Sequence, residues 1–246
     1  MLDFHDPVAA ASHLLMAVWS GFAGMILLRL TRRFSTVARI YFTAYVVVTV
    51  LLYTASGLYH GLRHDTEWQR ELWLRIDRSA IYLLVFGSFF PVFGIMANRV
   101  VRHSWTAIMS VLCLIGIVMQ ATGNVTSLGS IVGYVLIACV GMLTLPWWMR
   151  AVGKRGLLWI GTATLLYGLG GAVQAVQWPN PWPGVIGFHE VLHLCDVAAT
   201  IVHFAFVFKT IVHPHNTGGG HRRYDDRTLQ RNTAPCSPAA IISATT

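Results

Sequence analysis

Phe188-His-Glu-Val-Leu-His-Leu-Cys-Asp-Val-Ala-Ala-Thr-Ile-Val-His-Phe-Ala-Phe-Val-Phe-Lys-Thr-Ile-Val212 is the stretch whose reading decides the fold. Its body is long and apolar enough to cross a bilayer as a helix, which takes roughly 20 mostly apolar residues. Its first turns carry His189 and His193 at i and i+4, so two imidazoles share one helical face. The stretch is expected to be a transmembrane helix that opens on a pair of metal-capable nitrogens.

Six further apolar runs precede it, at 12–30, 40–59, 79–97, 105–121, 129–148 and 157–176. With 55% hydrophobic and 11% charged residues, the 246-residue chain is too apolar for a water-soluble domain. Backbone amides in hydrocarbon must bond internally, and runs without an alternating polar face satisfy this as helices rather than barrel strands. The expected fold is an all-α membrane protein, a seven-transmembrane-helix bundle with a zinc site near one membrane face. Residues 1–11 read as an N-terminal segment, 12–212 as the membrane domain and 213–246 as a polar, disordered tail. Asp3, His5 and Asp6 stand where a signal peptide would be basic, so the first run is expected to be kept as a helix.

The net charge of +8 comes from short basic clusters between the runs, a pattern of topology determinants and lipid-headgroup contacts rather than of a nucleic-acid face. The loops after runs one, three and five and the tail, with the helix ends beside them, hold all of the 18 Lys and Arg residues except Arg63, Arg70, Arg75 and Arg78. Basic loops stay cytoplasmic, so the C-terminus is expected inside, the N-terminus outside, and the protein in the plasma membrane. Cys113, Cys139 and Cys195 lie in apolar runs and Cys236 in the tail, with no CxxC pair, which argues against a disulfide framework or thiolate zinc site. Trp147, Trp148, Trp178 and Trp182 fall at run ends and read as interfacial anchors.

Ionisable groups inside a membrane are costly and mark function where they can meet. At the end of the second run, Ser56-Gly-Leu-Tyr-His60 puts a hydroxyl and an imidazole on one helical face, and Asp77 stands at the start of the third run. Alternating chain direction brings the seventh run's entrance to the same membrane face. His60, His189 and His193 can therefore converge on one zinc ion, leaving a fourth position for water. Ser56 and Asp77 would act around that water, Asp77 taking its proton. His203, ten residues past His193 and so about 15 Å deeper, reads as a satisfied core histidine. Asp196 reads as a distant hydrogen-bond partner, and His13 as a structural hydrogen bond between helices. His213, His215 and His221 in the tail read as solvated.

The segments Ser56-Gly-Leu-Tyr-His60, Ile76-Asp77-Arg-Ser-Ala-Ile-Tyr82, Gly87-Ser-Phe-Phe-Pro91 and Gly187-Phe-His189-Glu-Val-Leu-His193 resemble the haemolysin III family, which groups with the progestin and adipoQ receptors and, more distantly, the alkaline ceramidases. The resemblance spans all seven runs. It implies a seven-helix fold with zinc on His60, His189 and His193, Ser56 and Asp77 nearby, and, in the ceramidase branch, hydrolysis of a lipid amide. Arg78 and Phe188 depart from the bacterial pattern, which commonly has His at both places. The receptor branch has a cytoplasmic N-terminus and the ceramidase branch the opposite arrangement, which the charge count here favours.

The leading expectation is a zinc-dependent hydrolase of a lipid amide or ester, with membrane lipid as substrate and an apolar cavity for the acyl chain. The alternative is a non-catalytic receptor or sensor with structural zinc. A metalloprotease reading of His189-Glu-Val-Leu-His193, with Glu190 as base, lacks a later membrane segment to carry a third ligand. Nothing reads as a pore-lining stripe of charge.

Overall fold

The computed structural model describes residues 6–96, 98–123 and 125–212. Pro7–Leu30 forms α1, Thr36–Gly61 α2, Glu67–Gly87 α3, Phe90–Ile95 α4, Arg99–Thr122 α5, Ser127–Met142 α6, Leu145–Val176 α7 and Phe188–Phe206 α8, which continues as a π-helical turn, Val207–Val212. Among the described residues the β pairing is limited to an isolated bridge between Trp182 and Ile186. The fold is all-α. Six helices are long and apolar enough to cross a membrane, and Ser127–Met142 is a shorter apolar helix in the place of the fifth run. The tail, with the disorder expected for 213–246, lies outside the described residues, as do residues 1–5.

Helix starts follow capping side chains rather than the apolar runs. Ser35, Thr66, Asn98 and Thr126 accept hydrogen bonds from the backbone N–H groups of Ala38, Gln69, Val101 and Gly129, which satisfies donors that have no partner in a helix's first turn. Helices α2, α3 and α5 consequently begin before residues 40, 79 and 105. The polar break at 61–78 is therefore mostly helix, and Asp77 lies ten residues past Glu67 rather than at a helix start. Residues 7–11 likewise belong to α1 instead of a separate segment.

The third run is interrupted where Pro91, which has no N–H to donate, sits in the first turn of α4. The fifth run ends early: α6 stops at Met142, and Pro146 lies in the first turn of α7. Gly153 adopts φ 64° inside α7 and kinks it, a conformation that glycine adopts without Cβ strain. Trp147 and Trp148 thus open α7. Trp148 is buried, with its ring 5.3 Å from that of Phe89, so it belongs to the core and not to an interfacial belt. Trp178 and Trp182 are exposed as expected.

Neighbouring helices close into a ring: α1 packs on α2, α2 on α3, α3 on α5 and α6, α6 on α7, α7 on α8, and α8 back on α1. Leu15, Phe22, Leu114, Leu158 and Leu165 point outward and are more than half exposed. Such a surface fits lipid as solvent, whereas a soluble monomer rarely exposes a contiguous apolar patch of this kind. Inside, Phe42, Tyr45, Phe93, Phe204 and Phe206 form the main core, and Met16, Leu52, Tyr53, Ala80 and Leu84 form a second, smaller one among α1, α2 and α3.

The α1–α2 contact is close at Gly57, where a Cβ would lie 2.8 Å from Leu14 Cδ2 and 3.1 Å from the Leu14 backbone nitrogen. A side chain there must push the helices apart, because backbone cannot yield as a flexible side chain can. Gly57→Val is expected to destabilise the protein by about 1–3 kcal/mol, read as a lowered thermal midpoint in detergent. Gly161→Ala, at a position with nothing within 4 Å, is expected to leave the midpoint unchanged or raise it.

Candidate metal centre

His60 ends α2, and His189 and His193 open α8 one turn apart. His189 Nε2 lies 3.4 Å from His60 Nε2 and 3.1 Å from His193 Nε2, and the three ligand-capable nitrogens all fall within 4.8 Å of one another. His60 and His193 are buried, His189 partly so. The three residues expected from spacing and topology are therefore brought together.

The outer nitrogens of two rings are held by oxygens. His60 Nδ1 is 3.0 Å from Asp6 Oδ2, and His189 Nδ1 is 3.2 Å from Gln174 Oε1. Both oxygens are acceptors, so each Nδ1 carries the proton and each Nε2 presents a lone pair. Two bare nitrogens facing each other at 3.4 Å repel unless a cation lies between them. In a tetrahedral site with metal–nitrogen distances near 2.0–2.1 Å, ligand nitrogens are about 3.3 Å apart, close to the two separations found here. The residues present fit a three-imidazole metal centre.

Asp77 is buried beside this group, with the Ser56 hydroxyl as hydrogen-bond donor and His60 as a neighbouring charge partner. Below the site, the Tyr53 hydroxyl bonds the Asp196 carbonyl at 2.9 Å and pairs with Thr200 Oγ1 at 2.7 Å, and Tyr167 reaches the same threonine at 2.6 Å. These bonds tie α2, α7 and α8 together. Asp196 takes part through its backbone carbonyl rather than its carboxylate.

Glu190 Oε2 accepts from the Gly187 backbone N–H at 2.7 Å, so the carboxylate caps its own helix, as an acid three residues past a helix start commonly does. That use disfavours Glu190 as a metalloprotease base. His203 is buried and bonds the Tyr45 hydroxyl at 2.9 Å through Nδ1; it stands apart from the three-histidine group. His13 makes no interhelical hydrogen bond among the described residues; its ring packs edge to face on His193 with centroids 4.2 Å apart.

Asp6, Gln174 and His13 were not singled out as site residues. Asp6 and His13 stand seven residues apart, two helical turns, which is a usable signal of a shared face. Gln174 is a lone amide at the end of an apolar run and carries no such signal. An acyl-sized interior cavity was also expected. Among the described residues, a partly open cavity lined by Ser88, Trp148, Tyr167 and His203 has a volume of about 40 Å³, room for water and not for an acyl chain.

Residues 4–204 match the family described as haemolysin-III related, a span that includes Ser56, His60, Asp77, His189 and His193. An adiponectin receptor protein of Drosophila melanogaster is 25% identical over 214 residues, covering 78% of this chain and 48% of the relative. The chain thus spans about half the length of that curated relative. Its all-helical membrane architecture, its buried histidine trio and the match over most of its length agree: the chain belongs to the haemolysin III-related family.

Proposed function

We propose that this membrane protein is a zinc-dependent hydrolase of a lipid amide or ester. The observation that carries the reading is the convergence of three imidazole nitrogens, two with their lone pairs directed inward by Asp6 and Gln174, beside a buried carboxylic acid.

His60, His189 and His193 would hold the ion through Nε2. When bound, zinc polarises a carbonyl and shifts the acidity of a water molecule towards neutral pH. Asp77 would accept a proton from the attacking water at a carboxylate oxygen and return it to the leaving amine or alkoxide. The Ser56 hydroxyl fixes the orientation of that carboxylate. Asp6 and Gln174 keep the Nδ1 protons of their histidines in place, so that the ring nitrogens stay directed at one point. Addition of water across the scissile bond yields a fatty acid and the amine or alcohol. The acyl chain would approach from surrounding lipid between helices. The charge asymmetry of the loops supports a cytoplasmic C-terminus.

A second reading, a receptor or sensor with structural zinc, is favoured by the printed name of the Drosophila relative, a receptor. The readings separate by experiment. Purified zinc-loaded protein is expected to release fatty acid from a panel of ceramides and acyl esters, with activity falling to background in His193→Ala. Asp77→Asn is expected to lower turnover by about 100-fold or more at unchanged zinc content. A protein that hydrolyses nothing in that panel, and that loses thermal stability when His193 is replaced, supports the receptor reading. Asp6→Ala and Gln174→Ala are each expected to weaken zinc affinity by about 10–100-fold, measured by chelator competition; unchanged affinity would contradict the roles given to their oxygens.

A further inference from the structure

The hydrogen-bond accounting of the trio is unequal. Asp6 serves His60 Nδ1 and Gln174 serves His189 Nδ1, but His193 Nδ1 is buried without a partner among the described residues. With Nε2 directed at the ion, Nδ1 of a neutral imidazole must carry the proton. His193 therefore has a buried N–H donor that needs an acceptor.

The ring packed on His193 is His13, with centroids 4.2 Å apart and planes at 81°. His13 is only 2% exposed, and neither of its ring nitrogens has a hydrogen-bond partner among the described residues. One of those nitrogens is an acceptor. The other aromatic polar group against His13, Tyr53, is already committed, its hydroxyl bonded to the Asp196 carbonyl and paired with Thr200. Burying two unpaired nitrogens against a third is unfavourable, and one hydrogen bond between the two rings relieves it on both sides.

We propose that His13 is a positioning residue of the metal centre: it accepts, directly or through one water, the hydrogen bond from His193 Nδ1–H. Helix α1 and the residue that precedes it then serve two of the three ligands, Asp6 holding His60 and His13 holding His193 from one helix face. The inference rests on the metal reading of the site. It explains why a polar ring stands where a phenylalanine would fill the same space without leaving nitrogens unpaired.

The test uses the full chain in detergent micelles, with zinc affinity measured by chelator competition and the cobalt(II)-substituted protein examined by visible absorption. His13→Phe keeps a ring of similar size and is expected to weaken zinc binding by about 10–100-fold and to shift the cobalt bands. His13→Gln, which restores an amide oxygen, is expected to recover most of the affinity. The metal-free His13→Gln variant is expected to melt like the metal-free wild type. His13→Phe with wild-type affinity and wild-type cobalt bands overturns the proposal and leaves the metal centre standing. Equal weakening in both variants, with lower melting of their metal-free forms, overturns it in favour of simple packing. Wild type that binds neither ion overturns the metal reading itself, and this proposal with it.

Discussion

Three imidazoles turned towards one another inside an apolar bundle are the constraint on which the site depends. In water their lone pairs would be hydrated. In the interior they repel, and the protein holds them in place with Asp6, Gln174, and the packing of α1, α2 and α8. A divalent cation converts that repulsion into attraction, because each nitrogen then faces a positive charge in a medium of low polarity. The close α1–α2 approach at Gly57 lies one turn from His60, so backbone packing and ligand placement share the same few residues.

The site's composition also separates binding from chemistry. The histidines and the oxygens behind them suffice to grip an ion, whereas Ser56 and Asp77 have no part in that grip and stand beside it. A carboxyl group buried inside a membrane bundle is costly unless it is used or compensated. Here the Ser56 hydroxyl compensates part of that cost and fixes the oxygen that would take a proton. The hydrolase reading rests on this pair, and the receptor reading must find another purpose for it.

Much of the architecture was legible in the residues. The apolar runs located the helices because hydrocarbon selects length and composition so strongly, and the i, i+4 spacing of His189 and His193 with the opposite-running His60 located the trio. Hydropathy did not locate the helix ends, since Thr66 and Asn98 are exposed polar residues that start helices by capping them and lie outside the apolar runs. Trp148 was misread because burial by a neighbouring helix and burial in an interface leave the same local pattern. Asp6, Gln174 and His13 were missed as site residues for a related reason: their role comes from which rings they meet in space, and a single sequence shows only their polarity.

The central claim is that His60, His189 and His193 bind one divalent cation through their Nε2 atoms. X-ray absorption at the zinc edge, on the 246-residue chain purified without chelator, tests it most directly. The account predicts one zinc per chain with imidazole nitrogens at about 2.0–2.1 Å and outer-ring scattering from three histidines. Metal-free protein, or a zinc edge dominated by sulfur ligands or hydrated oxygen, would contradict it.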